Sequence, residues 1–178
     1  MRTPHFAKVD KSKIEAVFSA NGEHRCKLCL PFFDREDGHT LCVIGQNPSC
    51  ANADHADKTV EYIERFVFEH FHHVGKILML NLYSRIDTKK VNTDSPKDPK
   101  CYLDLRKAIA ENNEFLLVFG QLKNKGVYRF RDRADELRNL FEGKAVYKIA
   151  IGSSYAPHPG NPKICYSNIS FGIEPHEF

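Results

Sequence analysis

The sequence predicts an α/β protein organised around a central, mainly parallel four-stranded sheet with an N-terminal edge segment. Two observations carry this reading. Four short apolar runs, Leu41–Gly45, Ile77–Leu80, Phe115–Phe119 and Val146–Ile151, recur at spacings that leave room for a helix between each pair. Three of the four are continuously apolar and the last carries a lone Lys148, as expected of strands buried on both faces of a parallel sheet. The intervening segments have helical character, so strand and helix alternate and right-handed crossovers follow.

Before the first of these strands, Gly22–Phe33 and the turn residues Glu36-Asp37-Gly38 predict an extended segment or edge hairpin leading into Leu41. Asp57–His73 places Val60, Ile63, Phe66 or Val67, and Phe71 on one stripe, with Gly75 as the stop signal. His70, His72 and His73 crowd the end of this helix, where cations suit the dipole. Asp87–Pro99 lacks apolar periodicity and is rich in Lys, Asp and Pro, so it reads as an exposed loop. Pro99–Asn112 and Val127–Phe141 read as helices, the second closing at Gly143.

A chain of 178 residues and 20.4 kDa has room for one domain, read as spanning 1–178 with its core at about 23–165. Hydrophobic residues at 42% and charged residues at 28% argue against long disorder and against a membrane protein. The N-terminal stretch MRTPHFAKVDKSKIEAVFSA is charged throughout and does not read as a secretory signal, so a cytoplasmic protein is expected. In that compartment the six cysteines are expected to be free thiols rather than a disulfide framework. Cys26 and Cys29 form a lone CxxC with no second pair, and in a strand their thiols would point to opposite faces, so no metal site is expected. The balance of 26 Lys+Arg against 23 Asp+Glu permits a polyanionic partner without requiring one.

Ligands of open parallel sheets bind beyond the carboxyl ends of the strands. That rule selects the loops Gln46–Asn52, Asn81–Arg85, Gly120-Gln121 and Gly152–Lys163. Their Gly, Asn, Ser, Gln and His residues are neutral hydrogen-bonding groups, better suited to an amide-like or nucleobase edge than to a naked phosphate. Walker, GxGxxG, GxSxG and HExxH patterns do not occur, which excludes the common nucleotide-binding and hydrolase motifs. Lys123, Lys125, Arg129, Arg131 and Arg133 read either as phosphate contacts or as the solvated face of a helix that also carries Asp132, Asp135 and Glu136. Asp54 and Asp57 read as helix caps, Asp54 also as a candidate acid. Taken singly, Gly45–Pro48 also reads as a turn, Asn81 as a helix cap and His158 as a solvated loop residue.

Taken together, these residues form a pattern. Gly45-Gln46-Asn47-Pro48 after one strand, Leu80-Asn81 ending the next, Leu117-Val118-Phe119-Gly120 ending the third and His158-Pro159 in the last loop resemble, in order, the motifs of the uracil-DNA glycosylase superfamily. The longer run NPSCANADHADKT, NLYSR, DPK and APHPGNP is similar to a bacterial and phage family defined only as a domain of unknown function, with the pattern NPSTAD, DPT, NLF and HP. The resemblance covers Glu23 to Cys165.

It implies a three-layer sandwich of the uracil-DNA glycosylase-like kind and a DNA glycosylase-like hydrolase acting on a modified base in DNA, without metal or cofactor. In that reading Asn47 positions the attacking water, Gln46 and the following backbone hold the base, and Asn81 pairs with the base edge. His158 donates to a base carbonyl as the bond breaks. Gly45, Pro48, Ser49, Tyr83, Gly120 and Pro159 complete the substrate-binding set, and the loop Pro157–Pro162 presses into a duplex once the base is flipped out. The chain departs from the superfamily in having Asn47 in place of an acid, Ser49-Cys50 in place of Tyr-His, and Gly160 in place of a serine. Nor does an aromatic residue stand where the superfamily stacks one on the base. DNA or a nucleotide is the expected partner, and no membrane. The alternatives are a non-catalytic module that binds a nucleotide or modified base, and an enzyme acting on free nucleotides.

Overall fold

The computed structural model describes residues 2–87, 95–167 and 169–177. Its main sheet has seven strands: β1 (Glu15–Phe18), β2 (Arg25–Pro31), β3 (His39–Gly45), β4 (Val74–Asn81), β5 (Glu114–Leu117), β6 (Ala145–Ile149) and β7 (Ile173–Pro175). They lie in the order β7-β6-β5-β3-β4-β2-β1. The centre, β6-β5-β3-β4, is parallel and corresponds to the four apolar runs. The expected four-stranded sheet is thus enlarged by three antiparallel strands, β2 on β4, β1 on β2 and β7 on β6. The Gly22–Phe33 segment is extended as expected and contains β2, but its alternative reading as a hairpin into Leu41 is corrected. A turn does form near Gly38, closed by its N–H donating to Arg35 O, but β2 pairs with β4, so β4 separates it from β3.

Four helices accompany the sheet: α1 (Lys58–His70), α2 (Pro99–Glu111), α3 (Phe130–Leu137, continued by a 3-10 turn at Arg138–Phe141) and the short α4 (Pro162–Cys165). Asp57 caps α1 by accepting from Val60 N. Asp98 caps α2 by accepting from Cys101 N, with Pro99 preset for the first turn. Alternation along the central strands feeds two cores. Leu41, Val43, Ile77 and Leu116 pack with Val60, Ile63 and Val67 of α1. Cys42, Ile44, Leu80, Phe115 and Leu117 pack with Leu105 and Ile109 of α2 and with Phe130 and Leu137 of α3. Helices therefore cover both faces.

The chain runs from β3 to its neighbour β4 through α1, then reverses direction across the sheet, reaching β5 through α2 and β6 through α3. A constant crossover hand puts helices on opposite faces when direction reverses, as observed. The reversal leaves a switch point between β3 and β5, where crevices form at the strands' carboxyl ends.

One cysteine expectation fails. Cys26 and Cys101, 75 residues apart, form a disulfide that ties β2 to the first turn of α2, while Cys29, Cys42, Cys50 and Cys165 are free thiols. The pairing arises because β2 joins the sheet beside β4, just before the chain enters α2, a proximity no spacing in the sequence reveals. Residues 88–94 of the predicted Asp87–Pro99 loop lie outside the described residues. Among the described residues no helix is long and apolar enough to cross a membrane.

Candidate functional site

A cavity of about 380 Å3 occupies the switch point. Its walls include Gly45, Gln46, Asn47 and Ser49 after β3, Asn81 at the end of β4, Gly120 after β5 and His158 from the last loop. Backbone bonds grip the end of β3 from both sides: Leu82 N donates to Gly45 O (2.9 Å), Tyr83 N to Gln46 O (2.9 Å) and Val118 N to Ile44 O (3.0 Å). Gly45 has no side chain because the Asn81 amide rests against its Cα; an added Cβ would lie 3.0 Å from Asn81 Oδ1. Gly120, at φ +69°, turns the chain after β5 and donates its N–H to Ala156 O at 2.7 Å, which locks the third loop to the last.

The polar side chains are held in defined orientations. Asn47 Nδ2 donates to Asp87 O (2.6 Å), and Gln46 Nε2 donates to Gln121 O (3.1 Å). With its amino group tied down, the carbonyl oxygen of Asn47 is the acceptor its side chain has to offer. His158 Nδ1 accepts from Gly160 N at 2.8 Å. A nitrogen that accepts carries no proton, so in the neutral ring the proton sits on Nε2. Glycine at 160 has a physical reason too: a Cβ would sit 2.9 Å from Nδ1. Asn81 is 9% exposed, serves as the cap of no described helix, and its Nδ2 has no partner among the described residues.

Other expected site residues fall elsewhere. Pro48 and Pro159 are buried and do not line the cavity. Tyr83 packs edge-on against Tyr128 and Phe130, and its hydroxyl accepts from Arg129 N at 3.1 Å, so it belongs to the core beneath α3. Asp54 is exposed outside the cavity, with its N–H donating to Asn52 Oδ1; the acid that reaches the wall is Asp57. The basic stretch divides. Arg133 is buried with its guanidinium 3.3 Å from the Tyr102 ring centre, and Arg129 pairs with Asp132. Lys123 and Arg131, with Arg138, line a second groove of about 490 Å3 that shares Phe119 and Gly120 with the cavity. Among the described residues the set Cys26, Asp98 and Cys101 has ligand atoms close enough for a metal, but both thiols are spent in the disulfide.

Sequence reasoning missed Arg25, Asp57 and Thr59 as wall residues. Asp57 is legible as a helix cap, and nothing in the sequence marks its second position beside the cavity. Arg25 is 1% exposed and donates from Nη1 to Ala51 O at 2.9 Å, which pins the loop after β3. Burial pulls its guanidinium down to about 10, against the opposing charge of Asp57.

Fold and site together define an α/β protein with a polar-lined cavity at the switch point of its sheet. Residues 32–162 match the family of proteins of unknown function designated DUF1643, and the chain belongs to that family. No curated protein and no solved structure matches it.

Proposed function

We propose that the protein recognises a modified nucleobase in this cavity and hydrolyses the N-glycosidic bond that holds it in DNA, as its resemblance to the uracil-DNA glycosylase superfamily implies. The observation that carries the reading is convergence: Gln46, Asn47, Asn81 and His158, far apart in the chain, line one cavity. Its apolar walls, Val60, Ile63, Met79 and Val118, suit a planar ring, and Asn81 offers a donor and an acceptor in one plane to read its edge.

The chemistry follows from the hydrogen bonds. Asn47 Oδ1 holds a water by accepting one of its protons but does not remove it, so bond breaking runs ahead of water attack. The pair of electrons in the C–N bond leaves with the base, and the Nε2–H of His158 stabilises the anion on a base carbonyl. Water then supplies hydroxyl to the sugar and its proton to the base. One feature favours a second reading, a binding module without catalysis: the residue in the water-holding position is an amide.

Mass spectrometry of bases released from normal and hypermodified DNAs separates the two. Wild type is expected to release one base, with the rate falling about 10²-fold in His158→Ala and similarly in Asn47→Ala. Folded wild type that releases no base from any DNA would overturn hydrolysis and leave the binding module.

A further inference from the structure

Arg25 is the largest of the fully buried side chains, and it lines the cavity from a strand outside the parallel centre. Its hydrogen bond within the chain goes to a neutral carbonyl, Ala51 O, and it forms no ion pair among the described residues. Its Nε has no partner among them either. A buried cation without a counter-charge is strongly unfavourable, and native proteins retain one where something else supplies the charge. Asp57, on the same wall, supplies an opposing charge without forming an ion pair with it, and one of its carboxylate oxygens also caps α1 through Val60 N.

Asn81 shows the same deficit. Among the described residues, the buried side-chain atoms of the cavity wall that lack a partner are Arg25 Nε and Asn81 Nδ2, and both are donors. A ligand that satisfies this wall has to be rich in acceptors, with the more negative end toward the guanidinium. The guanidinium is planar and its fork matches a carboxylate, while Val60, Ile63 and Met79 give the same cavity apolar walls for a ring.

We infer that the base recognised here is an acidic one, a planar heterocycle bearing a carboxylate that Arg25 binds, with Asn81 donating to a ring oxygen. This deepens the base-recognition reading and rests on it. Arg25 is then the specificity-determining residue: a parent base lacking the carboxylate leaves the buried cation without a direct ion pair.

Calorimetric titration with uracil, cytosine, their carboxylated forms orotate and 5-carboxycytosine, benzoate and inorganic phosphate tests it. The carboxylated bases are expected to bind about tenfold more tightly than their parents, and Arg25→Gln to erase that preference. The wild-type ratio decides alone should the variant not fold. Equal affinity of parent and carboxylated bases for wild type would overturn the inference and leave base recognition standing. Phosphate binding as tightly as the carboxylated bases would overturn it as well. Benzoate binding with no affinity for any base would keep the oxyanion assignment and remove the base reading.

Discussion

Replacing Glu64 with alanine is expected to lower stability by about 3–5 kcal/mol, read from the urea midpoint and slope of unfolding. Glu64 is fully buried in the middle of α1, a position that tolerates a carboxylate only if it is answered. Its Oε1 accepts from His5 Nδ1 at 2.5 Å and its Oε2 from Phe6 N at 2.8 Å. The other ring nitrogen of His5 donates to Asn52 O at 2.9 Å, in the loop that follows β3. With both nitrogens donating, the ring is an imidazolium and the pair is ionic. Truncation leaves the buried Nδ1 of His5 and the Phe6 N–H without partners, and removes the carboxylate that orients the ring holding the site loop at Asn52.

The same pair gives a pH dependence of known sign. Burial disfavours the charged imidazole, but the hydrogen bond and charge of Glu64 outweigh it, and the pKa of His5 is raised above its ordinary 6.5. A raised folded pKa contributes stability that is fully present below the unfolded value and is lost as pH rises through the folded one. Wild type is therefore expected to lose stability from the neutral range upward, and Glu64→Ala to lose less over the same range. Parallel pH profiles for the two proteins would remove the ion pair as the cause.

The central strands were legible because they are buried on both faces, which makes Leu41–Gly45 and Ile77–Leu80 continuous apolar runs that no surface element produces. The flanking strands were legible only in part: Gly22–Phe33 reads as extended and contains β2, but its pairing, and the strands β1 and β7, do not show in the sequence. In β2 the order Arg25-Cys26-Lys27-Leu28 mixes charge with apolar residues, and β7 is three residues long. The site was legible in proportion to the parallel sheet. A rule about carboxyl ends found Gln46, Asn47, Asn81 and Gly120, because each follows a parallel strand. It could not find Arg25, which starts β2. An antiparallel strand arrives at that end of the sheet with its beginning, and Arg25 N donates to Ser84 O just past the end of β4. Cys26 is beside it, so one unread strand pairing hid both the buried cation and the disulfide. Tyr83 failed for the opposite reason. It sits at a strand end, yet its ring points into the core under α3, where Tyr128 and Phe130 offer more apolar contact than the cavity does.

At the far end of the sheet Gly75→Ala is expected to cost about 3 kcal/mol, the upper range for forcing extra volume into packed structure. An added Cβ would lie 2.1 Å from Arg35 O and 2.9 Å from Gly38 Cα. These are backbone atoms and do not rotate aside. Nor is the turn free to retreat: the Arg35 guanidinium lies 3.8 Å from the Phe68 ring centre and donates to Phe68 O and Phe71 O at the end of α1. The close approach also has a positional role. Gly38 leads directly into β3, whose pairing with β4 shifts between His39 and Thr40 and then runs without a break to Gly45 opposite Asn81. The two glycines thus set the register that delivers the cavity's residues at the other end, and a slip by one residue would reverse every side chain of β3. Gly172→Ala is the matched control, since a Cβ there meets nothing within 4 Å, and a change within about 0.5 kcal/mol is expected. Equal unfolding midpoints for the two variants would mean that the backbone at Gly75 yields, and that the register of β3 is held by the α1 face rather than by the turn.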